Sequence, residues 1–439
     1  MLSYKSILYD IKCRLYFSKS KIEKTLSYFY KLILLISCNN ASSSYLKYDD
    51  FALQIGEKIF PNLVVEKSRP CSNKLLILNS AIYDFGGHTE VALRLSNVLK
   101  NDFDITFLVN NFFSINSEEL APVKTSLIKK IVKFVEFEPQ TYEEKIKKLY
   151  SYIIDNQFST IFVNIHPYDV ISTVVLALIK KYTAIKICFF NHADHNFSLA
   201  TSFADILITR LENNKPLVKY LKNNKKLVNV SFLEKTNQPS VYRKQDIDKK
   251  KEELGISQES FISLTGASFY KILSDSNQPY LKLINNLLKD NPTLVHIIIG
   301  NKYDNDKNII NKYIKKEFID NKRLIILPPT SDFDFYINMA DLFIDSFPQG
   351  SALTLIDCLR NKTVPIVKVN TRYPYKSFQC YLPKDYDYAC KTPKEMHNKI
   401  NYLIKNKNLL KSLQDELYSY YQDRYDIQKV KQFYMEILK

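Results

Sequence analysis

Tryptophan is absent from this chain of 439 residues, and glycine is scarce, with only 7 residues. So few glycines indicate that each one lies where the backbone needs its freedom. The 7 cysteines are scattered and form no Cys-x-x-Cys pair, which argues against a disulfide framework or a zinc site. The longest apolar run near the start, Leu32–Ile36, is far shorter than the ~20 residues of a membrane-spanning helix. We therefore expect a cytoplasmic protein.

Acidic residues are in deficit, with 46 Asp and Glu against 62 Lys and Arg, which gives a net charge of +16. This excess favours acidic partners such as phosphates, nucleic acid or an anionic membrane surface. Alternatively, the lysines simply cover solvated faces. No nucleic-acid-binding module is recognisable, so we expect no nucleic-acid partner.

The length predicts two domains of roughly 200 residues each. The first segment is basic, and apolar residues recur at helical spacing over Tyr4–Cys38. It either lies on a membrane surface or packs against the rest of the protein. The predicted divisions are a helical leader (1–71), an N-terminal Rossmann-like domain (72–232), a linker (233–254), a C-terminal Rossmann-like domain (255–392) and C-terminal helices (393–439).

Short β-branched runs alternate with amphipathic stretches from residue 74, which is typical of βα units on a parallel sheet. In the first domain the predicted strands are Leu75–Leu78, Ile105–Val109, Ile131–Val135, Ile161–Val163, Ile185–Phe190 and Ile206–Thr209. In the second they are Phe261–Leu264, Val295–Ile299, Leu324–Leu327, Leu342–Ile344 and Val364–Val367. The predicted fold class is α/β, with two Rossmann-like domains facing a cleft.

A strand, a Pro/Gly loop and a helix that starts near Ser351 or Ala352 are predicted over residues 340–359. The N–H groups of Gly350 and Ser351 and the Thr354 hydroxyl would then face an anion at the helix N-terminus. Asp357, one turn further, is placed to accept hydrogen bonds from ribose hydroxyls. Alternatively, the loop only turns the chain.

Lys271 follows the first strand of the second domain and stands near Gly266. A positive charge there would stabilise a leaving diphosphate without a metal. Alternatively, Lys271 is simply one surface lysine among many.

Polar loops also follow strands of the first domain. The paired glycines Gly86 and Gly87 allow close approach of a ligand, and His88 beside them is a candidate general base or phosphate ligand. His166 ends another strand, and His192, Asp194 and His195 follow a third. Asp194 is the second candidate base. A pair of histidines with one aspartate lacks a further ligand, so no metal site is expected. His296 and His397 are predicted to be structural.

Residues 340–359 resemble the donor-binding region of glycosyltransferase family 41, the O-linked N-acetylglucosamine transferases and bacterial adhesin-modifying N-glucosyltransferases. The resemblance implies a GT-B fold with an N-terminal acceptor domain and a C-terminal donor domain. In the donor domain Thr354 and Lys271 would hold a nucleotide diphosphate and Asp357 the ribose. The residues expected on the acceptor side of the cleft are Gly86, Gly87, His166, His192 and His195. By the same resemblance, Leu327 and Pro328 contact the base. The sequence departs from the family at Ala352-Leu353 and at Phe333. The loop at His88 resembles both this family and the Gly-Gly-x-x-Glu loop of retaining family-4-like enzymes.

These features predict transfer of a sugar from a nucleotide donor, UDP by resemblance, to a glycan or lipid-linked saccharide of a bacterial surface polysaccharide. The retaining enzymes carry two glutamates, separated by seven residues, near the donor loop. Counted back from Asp357, the first of these two positions is Gln349 here, so the glutamate pair is absent. The expected reaction is therefore inverting, without metal or other cofactor. The alternatives are a protein-modifying glycosyltransferase and a non-catalytic partner that binds a sugar nucleotide. The basic leader is expected to hold the protein at the inner membrane face.

Overall fold

The computed structural model describes residues 4–38, 45–65, 73–83, 87–114, 133–138, 140–192, 197–209, 226–229, 242–300, 303–369 and 381–439. The chain divides into two compact units. Unit 1 comprises Met1–Thr236 and Ile427–Lys439, and unit 2 comprises Asn237–Asp426.

Unit 1 is built on a seven-stranded sheet in the order β3-β2-β1-β4-β5-β6-β7, in which every neighbouring pair is parallel. The strands are β1 Lys74–Asn79, β2 Asp104–Val109, β3 Lys133–Glu136, β4 Thr160–Asn164, β5 Lys186–Phe190, β6 Ile206–Thr209 and β7 Lys226–Asn229. Six of them were predicted, whereas β7 was not. The central strands are apolar throughout because helices cover both faces of a parallel sheet.

Helices flank this sheet and precede it. They are α1 Tyr4–Ser18, α2 Ile22–Cys38, α3 Tyr45–Ile59, α4 Gly87–Leu99, α5 Tyr142–Asn156 and α6 Val170–Tyr182, and a short 3-10 helix covers Thr201–Phe203. A capping box begins α5. The Thr141 hydroxyl accepts from the Glu144 N–H, and the Glu144 carboxylate accepts from the Thr141 N–H.

Two of the leader helices are part of the unit 1 core. Phe29 and Ile33 of α2 and Ile55 of α3 are fully buried. Gly56 permits the close packing of α3 on α6, because a Cβ there would lie 2.8 Å from Leu178. Packing against the rest of the protein, one of the two alternatives for the leader, is thus what the structure shows for α2 and α3.

Unit 2 contains a six-stranded parallel sheet in the order β10-β9-β8-β11-β12-β13. Its strands are β8 Phe261–Gly266, β9 Leu294–Ile299, β10 Leu324–Leu327, β11 Leu342–Ile344, β12 Val364–Lys368 and β13 Ala389–Cys390. Its helices are α7 Lys244–Leu254, α8 Phe269–Leu273, α9 Pro279–Asp290, α10 Tyr303–Tyr313, α11 Lys316–Asp320, α12 Phe333–Met339, α13 Leu353–Arg360, α14 Pro393–Lys405 and α15 Lys407–Arg424. The two-residue β13 was not predicted.

The last helix, α16 Ile427–Leu438, returns to unit 1. The hydroxyl of Thr160 donates to the carbonyl of Leu438 over 2.9 Å, and the Cys188 thiol donates to the carbonyl of Ile437 over 3.4 Å. The helix therefore packs against β4 and β5.

Each sheet has a switch point where the chain changes direction across the sheet. In unit 1 it lies between β1 and β4, and in unit 2 between β8 and β11. Ligands of open α/β sheets bind in the crevice at the carboxyl ends of the strands at such a point. None of the helices in the described part of the chain combines the length and the apolar character that a membrane span requires.

Candidate functional site

Three histidines that follow different strands meet at the switch point of unit 1. His88 lies in the first turn of α4 after β1, His166 follows β4, and His192 follows β5. The rings of His88 and His166 are stacked with centroids 4.9 Å apart. The ring of His192 lies 4.6 Å from that of His88 and 5.9 Å from that of His166. We call these three residues the histidine site.

Both ring nitrogens of His88 are buried and have no hydrogen-bond partner among the described residues. Burial, and then the neighbouring His166, lowers the pKa of His88 to about 3. Burial likewise lowers the pKa of His166 to about 4. The Tyr83 hydroxyl lies 3.1 Å from Nε2 of His166. The two rings are therefore neutral at physiological pH, and no described residue uses the ring nitrogens of His88.

A buried polar network supports the histidine site. The Asp169 carboxylate accepts from the Ser80 hydroxyl over 2.6 Å and from the Asn110 amide over 2.8 Å. Ser80 in turn accepts from the N–H of His166 over 2.9 Å, and the Asn164 amide donates to the carbonyl of His88 over 3.0 Å. Burial raises the pKa of Asp169, and its hydrogen bonds oppose that shift. These bonds fix the backbone positions of two of the histidines.

Sequence reasoning missed this network, although a signal was present. Asn79 and Asn164 end strands, and Asn110 and Asn191 directly follow strands. An amide at the carboxyl end of each of four apolar strands is a pattern that core packing does not require.

At the switch point of unit 2, a buried carboxylate organises the loop after β11. We call residues Asp345–Ala352 the Asp345 loop. Oδ1 of Asp345 accepts from the N–H groups of Ser346 and Ser351, each over 2.9 Å. Burial raises the pKa of Asp345 to about 7, while the Ser351 hydrogen bonds and the Lys271 charge act against that shift.

Lys271 lies in α8, directly after β8, and its charge interacts with that of Asp345. Burial lowers the pKa of Lys271, and Asp345 partly restores it. The Ser351 hydroxyl donates to the carbonyl of Gly266 over 3.5 Å, and the Gln349 N–H donates to the carbonyl of Lys271 over 3.5 Å. The structure thus brings together the two predicted donor segments, one at Lys271 and one at the Asp345 loop.

One detail differs from the predicted arrangement of this loop. The Ser351 N–H donates to Asp345, so its hydrogen is already used within the loop. Helix α13 begins at Leu353, and Thr354 lies half-buried in its first turn. Gly350 is buried. Contacts of these three residues with a phosphate stay predictions, and for Ser351 they would have to use the hydroxyl.

The remaining donor-side candidates occupy three other places in unit 2. Asp357 is buried in α13, with 6% of its surface exposed. Leu327 ends β10 and Pro328 is exposed directly after it, two strands away from β8. The ring of Phe333 packs against Gly266, and a Cβ atom placed on Gly266 would lie only 2.2 Å from that ring. The binding roles of Asp357, Leu327 and Pro328 stay predictions.

Three candidates, Gly86, Asp194 and His195, lie outside the described residues. Gly87 is exposed as the first residue of α4. Within the described part of the chain, no group of three His, Cys, Asp or Glu side chains is arranged to hold a metal ion.

The two histidines predicted to be structural have protein partners. His296 is buried between the Ser263 hydroxyl at 2.8 Å and the Tyr280 hydroxyl at 3.0 Å. His397 lies 3.0 Å from a carboxylate oxygen of Asp290.

Several solved glycosyltransferase structures are similar to this chain. HepE from Anabaena, solved in complex with UDP and glucose, superposes with a TM-score of 0.65 at 14% identity, over 84% of this chain and 99% of HepE. A glycosyltransferase from Rickettsia africae gives 0.64 at 15% identity, over 84% of this chain and 98% of that protein. The O-GlcNAc transferase of Thermobaculum terrenum gives 0.57 at 12% identity, over 95% of this chain and 80% of that chain.

No family model matches the chain, and no curated protein matches its sequence. At identities this low, structural similarity establishes the fold alone. The fold is the two-domain α/β arrangement of GT-B glycosyltransferases, which confirms the predicted fold class. The narrower resemblance to family 41 stays a prediction.

Proposed function

We propose that this protein is a glycosyltransferase that moves a sugar from a UDP donor to a glycan or lipid-linked saccharide of a bacterial surface polysaccharide. The observation that carries the proposal is the pairing of Lys271 with the Asp345 loop at the switch point of unit 2. HepE, which shares the fold, was solved with UDP-glucose as well as with UDP and glucose. A nucleotide diphosphate bound at this switch point would meet the Lys271 ammonium.

In the proposed reaction, the acceptor hydroxyl attacks the anomeric carbon of the donor sugar and UDP leaves. Lys271 offsets the negative charge that develops on the leaving diphosphate, and its charge acts strongly because the site is partly desolvated. His88 accepts the proton of the attacking hydroxyl. A base with a pKa of about 3 is weak, so proton transfer to His88 requires that substrate binding raises its pKa.

The low pKa of His88 also favours a second candidate function. A chain of this fold that binds a sugar nucleotide without transferring it would not need a competent base at this position. Such a protein would bind UDP and leave UDP-sugars unchanged in the presence of any acceptor.

A membrane contact for the acceptor side is supported by helix α1. Its apolar side chains Tyr4, Ile7, Ile11 and Leu15 are 82%, 49%, 57% and 46% exposed. They form one stripe, because positions 4, 7, 11 and 15 fall on one face of a helix with 3.6 residues per turn. Lys12 and Arg14 flank that stripe at helical spacing, and the opposite face buries Ser6 and Cys13. We propose that this stripe lies on an anionic membrane at its cytoplasmic face.

Co-sedimentation with vesicles tests the membrane contact. Wild-type protein should sediment with vesicles that contain phosphatidylglycerol and remain in solution with phosphatidylcholine alone. The variant Ile7→Asn/Ile11→Asn should lose that binding. Equal binding of the variant would rule out the α1 stripe as the contact.

A thermal-shift screen against sugar nucleotides tests the donor assignment. UDP-sugars should raise the melting temperature of the wild type, and GDP- and dTDP-sugars should raise it less, because ligands that bind the native state stabilise it. Lys271→Ala should remove the shift, while the exposed-lysine control Lys289→Ala should keep it. If no sugar nucleotide shifts the wild type, the proposed function is wrong.

The stereochemical outcome is a separate question. The glutamate pair of the retaining enzymes is absent, because Gln349 stands at the first of its two positions when counted back from Asp357, and this absence supports inversion. Proton NMR of the first product formed should therefore show the anomeric configuration opposite to that of the donor. A retained configuration would instead favour the family-4-like alternative.

A further inference from the structure

A cavity of about 370 Å³ lies in unit 1 beyond the carboxyl end of β2. Its wall includes Glu23, Tyr30, Phe112, Phe113, Ser114 and Tyr142. We call it the aromatic pocket. Leader helix α2 contributes Glu23 and Tyr30, so this helix forms a wall of the pocket besides packing in the core. The volume is within the range of pockets that hold small molecules.

The aromatic pocket is connected to the histidine site by a series of ring contacts. The ring of Phe113 lies 5.0 Å from that of His166. Phe112 packs 5.0 Å from Phe113 and 5.3 Å from Tyr30, measured between ring centroids. One side chain, Phe113, therefore belongs to the wall of the pocket and contacts His166 of the histidine site. A ligand in the pocket would be held beside the histidine site.

The loop that forms the pocket floor is held in a costly conformation. Asn111 and Ser114 have positive φ angles of 50° and 52°, which non-glycine residues adopt only when surrounding contacts enforce them. The buried ammonium of Lys145, a residue that is 1% exposed, donates to the carbonyl of Asn111 and to the Ser114 hydroxyl. The Phe112 N–H donates to the carbonyl of Ser80 over 2.8 Å. This loop is positioned by a buried charge that the proposed reaction does not use.

The chemistry of the pocket fits an uncharged sugar ring. The half-buried rings of Tyr30, Phe113 and Tyr142 offer apolar surface that suits the C–H face of a pyranose, and the two tyrosines add a hydroxyl at the ring edge. The Glu23 carboxylate accepts from the N–H groups of Tyr142 and Glu143 over 3.1 and 3.2 Å, which fixes its position. A carboxylate has about four acceptor sites, and the described residues shown bonding to Glu23 use two of them, which leaves acceptor capacity for sugar hydroxyls. Its negative charge disfavours an anionic ligand.

We propose that the aromatic pocket binds a neutral pyranose unit of the acceptor and holds it next to the histidine site. This inference rests on the proposed function, since it assigns the acceptor side of that reaction. It predicts that the leader helix α2 contributes to acceptor specificity through Tyr30 and Glu23.

Saturation-transfer NMR with the full-length protein tests the pocket directly. The probes are the methyl α- and β-glycosides of glucose, galactose, rhamnose and N-acetylglucosamine, each at millimolar concentration. At least one should receive saturation from the wild type, and Tyr30→Ala and Phe113→Ala should each weaken its binding by about tenfold. Tyr402→Ala, which removes an exposed tyrosine in unit 2, is the matched control and should bind as the wild type does.

Calorimetric titration with UDP on the same variants separates this inference from the proposed function. Tyr30→Ala and Phe113→Ala should bind UDP with unchanged affinity, which also shows that they are folded. If UDP binds but no glycoside receives saturation from the wild type, or the variants bind glycosides normally, the pocket assignment is overturned. If the wild type does not bind UDP, the proposed function itself fails. Even in that case, glycoside binding that the wild type shows and both variants lose would establish that the pocket binds a pyranose.

Discussion

The polar groups at the two switch points of this molecule differ in their hydrogen bonding. In unit 2 the Asp345 carboxylate accepts two backbone N–H groups and lies in the field of Lys271. In unit 1, His88 holds two buried ring nitrogens without a hydrogen-bond partner among the described residues. Buried polar atoms in native proteins are nearly always paired, so an unpaired ring at a switch point indicates a place that a ligand completes. By the proposed function, a ligand would complete the histidine site of unit 1, whereas the Asp345 loop of unit 2 is held by hydrogen bonds of its own.

The two sites also differ in how their stability responds to pH. The folded-state pKa of His88 and His166 is depressed, so acidification protonates the unfolded chain first and destabilises unit 1. The folded-state pKa of Asp345 is raised to about 7 from 3.8, so rising pH ionises the unfolded chain first and destabilises unit 2. The windows are about pH 3 to 6.5 for the histidines and about pH 4 to 7 for the aspartate.

The largest expected effect is that of removing the Asp345 carboxylate. Asp345→Ala leaves the N–H groups of Ser346 and Ser351 buried without an acceptor, at about 1–3 kcal/mol for each. We expect the free energy of unfolding to fall by about 3 kcal/mol and UDP binding to weaken with it. Urea unfolding and calorimetry measure the two effects. Asp415→Ala, which removes an exposed carboxylate of α15, should change neither. A fully stable Asp345→Ala protein would show that this carboxylate does not organise the loop.

The pH responses give the next largest effect. Between pH 7 and pH 5, unit 1 should lose roughly 2 kcal/mol through His88, and unit 2 should gain a similar amount through Asp345. Because these changes oppose each other, hydrogen exchange resolved by peptide is the suitable measurement, corrected for intrinsic rates. Asp345→Asn should remove the trend in unit 2 alone. If both units change stability in the same direction, the contrast between the sites is wrong.

The smallest effect is expected from the Tyr83 hydroxyl, which lies 3.1 Å from Nε2 of His166. Tyr83→Phe removes one hydrogen bond to a neutral ring, worth about 1 kcal/mol. Transfer should fall only several-fold, while UDP affinity is unchanged, because Tyr83 lies in unit 1. A loss as large as that of His88→Ala would mean that Tyr83 itself acts on the substrate.

Much of the fold was accessible from the sequence because apolar β-branched runs mark buried parallel strands. The exceptions are short strands at the sheet edges, β7 and β13, of four and two residues. The nearness of His88, His166 and His192 followed from their positions after strands, since the carboxyl ends of parallel strands share one edge of the sheet. The pairing of Ser351 with Asp345 did not follow, because a backbone N–H has no sequence signature.

The pKa values of the side chains at these sites could not be predicted from the sequence either. The unperturbed pKa of histidine suited a general base, but burial against a second imidazole ring depends on tertiary packing. The aromatic pocket was missed for a related reason. Its walls come from α2, from the loop after β2 and from the start of α5, which are far apart in the sequence.

The central claim is that unit 2 binds the donor nucleotide and unit 1 carries the acceptor chemistry. The most direct test is a paired measurement of UDP affinity by calorimetry and UDP-glucose consumption on Lys271→Ala and His88→Ala. Lys271→Ala should weaken UDP binding by about 10- to 100-fold. His88→Ala should bind UDP as the wild type does but no longer consume UDP-glucose. Unchanged UDP affinity in Lys271→Ala, or wild-type consumption by His88→Ala, would contradict the central claim.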